Sequence, residues 1–172
     1  MGTNALLYLA EMLRTNDPWK QERASLGLKA LGKEARPLLE EQGNRLLLFD
    51  PLDVSRELET SQLLGFFLAV GPESIPTLVN ISVKMEEQRI ERERLGKPPI
   101  QDYRTWGGGI FRCIFIIVEL DPEESHQVFD QLRLSQDKAV RETANHIWGN
   151  IDFTRTNQLG PSIGTRFLPL EK

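Results

Sequence analysis

The sequence predicts an all-α protein, arranged as an α-solenoid of about four antiparallel helix pairs. Apolar residues recur with the spacing of an α-helix along nearly the whole chain. No segment alternates convincingly between apolar and polar residues, as a half-buried strand would. Short motifs also recur at offsets comparable to the length of one helix pair. A chain of 172 residues is long enough for one such domain.

The apolar spacing places the helices and their buried faces. Three regular apolar stripes carry the assignment, namely Leu6, Leu9 and Leu13, then Ala24, Leu28 and Leu31, and finally Val140, Ala144, Ile147 and Ile151. Eight helices are predicted, at about 3–14, 18–31, 34–47, 53–69, 73–95, 107–119, 123–134 and 137–150. The apolar run at 110–118 is also compatible with a buried strand, but helical patterns on both sides favour a buried helix.

The motif D-P-x-x-x-x-R occurs twice, at 17–23 and at 50–56. Its aspartate is a preferred residue for capping a helix start, and the following proline suits the first turn of a helix. The two copies are 33 residues apart (50 minus 17). They therefore predict equivalent helices in successive repeat units.

A second motif, G-x-E-[AS]-x-P, occurs as "GKEARP" at 32–37 and as "GPESIP" at 71–76. A weaker copy is "LDPEES" at 120–125. Gly32 and Gly71 stand where a helix is expected to end, because glycine adopts the left-handed C-cap conformation without strain. Each copy is therefore expected to join one helix to the next.

Parts of this chain resemble HEAT repeats of the bacterial and archaeal type. The resemblance rests on "DPWKQERASLGLKALGKEARPLLEE" (17–41), "VGPESIPTLV" (70–79) and "DKAVRETANHIWGNI" (137–151). The segments 49–67 and 90–106 fit the repeat poorly. The resemblance implies an α-solenoid whose role is to bind another protein.

In HEAT repeats, an aspartate and an arginine of successive units form a ladder between neighbours. The resemblance gives this role to the D-P-x-x-x-x-R residues Asp17, Arg23, Asp50 and Arg56. A simpler explanation is that each aspartate caps its helix and each arginine is solvated. The last unit departs from the pattern, because Asp137 and Arg141 are only four residues apart.

The resemblance also implies that the second helix of each pair lines a concave surface. Helical geometry places the residues opposite the core stripe at Glu22, Ser25 and Lys29 in one such helix, and at Lys138, Glu142 and Asn145 in the last. This mixed charge suits a polar protein partner. Lys29, Glu142 and Asn145 are therefore candidate partner-binding residues.

An insertion at about 89–106 interrupts the repeats. The helix before it continues into a mixed-charge run whose opposite charges stand three or four residues apart, and "GKPP" is expected to end this helix. Tyr103, Arg104 and Trp106 are then expected in or beside a loop. These residue types dominate interface energetics, so they are candidate partner-binding residues, unless Trp106 packs into the core.

The solenoid is expected to span residues 1–152, and an irregular tail is expected at 153–172. The tail is rich in glycine and proline and shows little periodicity. Phe153, Phe167 and Leu168 could fold back over the last helix pair. Alternatively, the tail is disordered or carries a short motif for another protein.

No constellation of residues predicts an enzyme, a metal site or a cofactor. The G-x-S-x-G sequence at 160–164 lacks the strand and the helix that a nucleophile elbow requires. His126 and His146 have no ligand companion at metal-site spacing. Cys113 lies in an apolar run and is expected to be a buried small side chain. The segment "GGG" at 107–109 is expected to act as a flexible joint.

The expected function is a non-catalytic, cytoplasmic scaffold that binds another protein or a second copy of itself. The net charge of −4 argues against nucleic acid, and no membrane segment or secretory leader is expected. The alternative is a nucleic-acid-binding protein, because some DNA glycosylases are built from HEAT-like repeats. A HEAT-like bilin lyase is supported by nothing beyond the fold.

Overall fold

The computed structural model describes residues 3–13, 15, 17–48, 57–97 and 103–156. All regular structure in these ranges is helical, which confirms the all-α prediction. The helices are α1 (Thr3–Leu13), α2 (Pro18–Leu31), α3 (Arg36–Leu48), α4 (Glu57–Val70), α5 (Ile75–Arg94), α6 (Tyr103–Leu120), α7 (Pro122–Arg133) and α8 (Lys138–Thr156).

The apolar run at 110–118 lies inside α6, so the strand alternative is wrong. Its buried side chains follow the periodicity of a helix that packs on one face. They are Ile110, Cys113, Ile114, Phe115, Ile117 and Val118. The stripe from Val140 to Ile151 is likewise buried in α8, as its spacing predicted.

Both G-x-E-[AS]-x-P motifs form the connections that their sequences predict. Gly32 and Gly71 have φ angles of 51° and 82°, in the left-handed region that favours glycine. The Gly71 amide donates to the carbonyl oxygen of Phe67, at 3.1 Å. Short 3₁₀ turns follow at Gly32–Ala35 and Pro72–Ser74. These turns explain why α3 and α5 begin two residues later than their predicted starts.

The helices pack in a regular order. Helix α2 packs against α4, and α4 packs against α6. Helix α3 packs against α5, and α5 packs against α7. Contacts also join α1 to α2, α3 to α4, α5 to α6 and α7 to α8, and α8 additionally packs on α5. Among the described residues, one core of buried apolar side chains includes members of every helix from α1 to α8.

Two further boundaries differ from the sequence-based prediction. Helix α6 begins at Tyr103 rather than at 107, so the "GGG" segment lies inside a helix and is not a joint. Helix α8 continues to Thr156, so residues 153–156 of the expected irregular tail are helical. Residues 157–172, with the G-x-S-x-G sequence, lie outside the described ranges.

Candidate partner-binding surface

The second half of α5 is a charged helix that extends beyond its core contacts. The last buried apolar residue of α5 is Ile81, whereas the helix continues to Arg94. Arg89 donates through Nη2 to Glu86 Oε1 at 2.6 Å and also pairs with Glu93. Arg94 donates through Nε to Glu91 Oε2 at 2.7 Å. Three pairs of opposite charges are therefore formed, each at the spacing of three or four residues that the sequence predicted.

These pairs perturb the ionisation of their members. The hydrogen bond from Arg89 lowers the pKa of Glu86, although partial burial opposes the shift. The hydrogen bond from Arg94 lowers the pKa of Glu91, and the charge of Lys97 acts in the same direction. The same bonds raise the pKa values of Arg89 and Arg94. The extension is therefore held together by its own charges, as expected for a solvated helix.

The extension ends in a glycine cap. Gly96 has a φ angle of 64°, and the Lys97 amide donates to the Arg92 carbonyl oxygen at 3.0 Å. This bond, with a second one from Gly96 to the Glu93 carbonyl, forms a Schellman motif. The predicted termination at "GKPP" is therefore correct for its glycine, and the two prolines lie outside the described residues.

Tyr103, Arg104 and Trp106 lie in the first turn of α6 and not in a loop. The sequence analysis missed this because "GGG" follows directly, and glycine is a poor helix former. Packing offsets this cost at one glycine. A Cβ atom added at Gly109 would stand 3.2 Å from Leu64 Cδ1, so α4 and α6 approach closely there. The side chains of Tyr103, Arg104 and Trp106 lie outside the description.

The concave-surface candidates on α2 and α8 are found on the exterior. Lys29 is exposed, and its Nζ lies 3.4 Å from Asp121 Oδ2, in the turn between α6 and α7. Glu142 is exposed and pairs with Lys138 at 3.7 Å. Asn145 is exposed, and its Oδ1 accepts a hydrogen bond from Arg133 Nε at 2.8 Å. All three candidates therefore have local ion-pair or hydrogen-bond partners.

The two helices that carry these candidates do not occupy equivalent positions. Helix α2 packs beside α1 and α4, whereas α8 packs on α5 and α7. Lys29 therefore lies in the row formed by α2, α4 and α6. Glu142 and Asn145 lie on α8, which packs against a different set of helices. These residues remain separate candidate sites.

The structure describes only half of the predicted ladder. Asp17 caps α2, because its Oδ1 accepts hydrogen bonds from the amides of Trp19 at 3.0 Å and Lys20 at 3.4 Å. Arg23 is exposed and forms no ion pair with another residue of the described ranges. Asp50 and Arg56 lie outside those ranges, so the ladder stays a prediction.

Two other ion pairs involve the G-x-E turns, one between successive turns and one between the third turn and α2, and sequence reasoning missed both. Arg36 Nη2 lies 3.6 Å from Glu73 Oε2, which joins the first turn to the second. Asp121, in the third turn, pairs with Lys29 beside the first. Asp121 also lies close to Gly71, since a Cβ atom at Gly71 would stand 3.6 Å from its Oδ2. The glutamate that recurs in the motif and the opposite charge of Arg36 are the sequence features that could have predicted the pair between Arg36 and Glu73.

Cys113 and His126 are two side chains whose chemistry the structure characterises. Cys113 is buried, and burial raises the pKa of its thiol to about 12, so almost no thiolate forms near neutral pH. His126 lies 3.4 Å from Asp130, with its ring edge-on to Trp148. Within the described ranges, no three His, Cys, Asp or Glu side chains are grouped as metal ligands would be.

Comparisons with known proteins leave the resemblance to HEAT repeats as an expectation. No protein-family model matches the chain, and no curated protein or solved structure is significantly similar to it. Among the described helices, none combines the length and the apolar character needed to cross a membrane. The candidate surfaces must therefore be judged on their own geometry.

Proposed function

We propose that this chain is a non-catalytic protein-interaction module, built as a HEAT-like α-solenoid. The observation that carries the proposal is the order of packing. Helices α2, α4 and α6 lie side by side, and so do α3, α5 and α7, while each odd helix contacts the even helix that follows it. Helix pairs stacked in one direction would give this order of packing, which supports the proposal, and α8, which also packs on α5, departs from it. The ion pair between Arg36 and Glu73, in successive turns, is consistent with that stacking.

Stacked helix pairs present long surfaces that suit protein partners. The proposed binding surface is the segment from the α5 extension to the first turn of α6. The last apolar side chains of α5 that pack against the core are the partly buried Val83 and Met85, and beyond them Ile90 and Leu95 are exposed. Its length and charge therefore add little to the core, and they are available to a partner.

The first turn of α6 also has a composition that helix stability does not explain. It contains Arg104 and no acidic residue, although the positive end of a helix dipole favours acids. Three glycines follow, and each lowers helix propensity by about 1 kcal/mol relative to alanine. Tyr, Arg and Trp at this position are the residue types that contribute most to protein interfaces.

A quantitative affinity capture tests the class of partner. The full chain and its Tyr103→Ala/Arg104→Ala variant would be used to capture proteins from the native source, with a Glu123→Ala/Glu124→Ala variant as the control, because both residues are exposed and belong to no candidate surface. The proposal expects at least one protein that the wild type and the control retain and the first variant loses. If all three chains retain the same captured proteins equally, those proteins bind to another part of the chain.

A salt titration tests the rival nucleic-acid function. Binding to duplex DNA that weakens steeply as salt rises would indicate phosphate contacts. We expect no measurable DNA binding near physiological ionic strength, because the chain has a net charge of −4. Salt-sensitive DNA binding together with no specific protein partner would contradict the proposed function.

A further inference from the structure

We draw no further inference here: the strongest candidate, the surface patch of Trp19 and Leu26 on the exposed face of α2, carries none, because nothing in the part of the chain that the structure describes shows what covers it.

Discussion

Arg36 and Glu73 form a link between successive connections of the chain. Their ion pair spans 3.6 Å, and Glu73 is largely shielded whereas Arg36 is about half exposed. Pairs of this exposure contribute about 0.2–1 kcal/mol, and salt screens them. The interaction is thus a small stabilising contribution and a marker of how the turns are aligned.

A double-mutant cycle with Arg36→Ala and Glu73→Ala should measure this link. We expect a coupling free energy of about 0.5 kcal/mol in denaturant unfolding, reduced in 1 M salt. Arg23→Ala is the control and should cost about 0–0.5 kcal/mol, because Arg23 is exposed. A coupling energy of zero at low salt would show that the two turns are not held together by this pair.

Arg56 offers the corresponding test of the predicted ladder. If Arg56 is a partly buried partner of Asp17 or Asp50, Arg56→Ala should destabilise the protein by about 1–3 kcal/mol. If neither Arg56→Ala nor Arg23→Ala changes the denaturant midpoint, the D-P-x-x-x-x-R motif only caps helices and forms no ladder. Asp17 already performs that capping role in α2.

Cys113 should behave as an inert core residue. Burial raises the pKa of its thiol to about 12, and the thiolate is the reactive form. Its Sγ also lies 3.6 Å from the Leu64 carbonyl oxygen. We therefore expect a thiol reagent at pH 8 to label the native protein at least 100-fold more slowly than the protein in denaturant. Rapid labelling of the native state would contradict the buried position.

Residue-level patterns predicted local structure better than long-range partners. The caps at Asp17, Gly71 and Gly96 depend on neighbouring backbone groups, so the sequence alone was sufficient to locate them. The pairing of Lys29 with Asp121 joins residues 92 positions apart. No local rule specifies such a partner, because it depends on how the helices pack.

Helix α3 lies close to α5 at Gly43. A Cβ atom there would stand 2.8 Å from Thr77 Cγ2 and 3.1 Å from Ile81 Cδ1. Gly149, on the exposed side of α8, has no atom within 4 Å of such a Cβ. The same substitution at these two helix positions should therefore have opposite effects.

Gly43→Ala should destabilise the protein by about 1–3 kcal/mol, because the added methyl forces α3 away from the β-branched Thr77. Gly149→Ala should stabilise it by about 0.5–1 kcal/mol, because alanine has the higher helix propensity. Denaturant unfolding of both variants measures the difference. Equal shifts in one direction would show that α3 and α5 do not pack as described.

The charged extension of α5 should be sensitive to acid. The folded-state pKa values of Glu86 and Glu91 are lowered by Arg89 and Arg94. Their stabilising contribution is therefore complete above the unfolded pKa, about 4.3, and is lost as the pH falls through the lower folded values. Protonation of both carboxyl groups should release the end of the helix.

Hydrogen exchange at pH 7 and pH 3 measures this release. Amide protection factors in 86–94 should fall several-fold at pH 3, while those in the buried part of α6 serve as the internal control. Arg89→Ala should lower the same protection factors at pH 7 without moving the melting temperature by more than a few degrees. Unchanged protection in both experiments would mean that packing, and not charge, holds the extension.

At the level of helices, the apolar periodicity located the described helices with bounds that differ by up to four residues, except at the end of α8, which extends six residues beyond its predicted end. Two of these differences have a clear physical origin. The "GGG" segment has low helix propensity but is helical because Gly109 permits a close approach to Leu64. The turns after Gly32 and Gly71 begin as 3₁₀ rather than α-helix. Tertiary packing and turn geometry decided both cases, and neither can be recognised from apolar spacing.

Over the whole molecule, the sequence predicted the class of structure and could not identify the binding surface. The core stripes at Ala24 and Leu28 and at Ala144 and Ile151 are buried as expected. Surface residues follow no comparable periodic rule, because a solvated position tolerates many side chains. The exposed Trp19 illustrates this, since it lies on the side of α2 opposite the buried Ala24 and Leu28, whereas Trp148 is buried beside Ile147 in α8.

The central claim is that the chain binds a protein partner through the first turn of α6. It is tested most directly by titrating the captured partner against the Tyr103→Ala/Arg104→Ala variant and measuring the melting temperature of that variant. We predict an association at least tenfold weaker, since one hot-spot residue contributes about 2 kcal/mol, and a melting temperature within a few degrees of the wild type. A variant that melts much earlier, or that binds as tightly as the wild type, would contradict this claim.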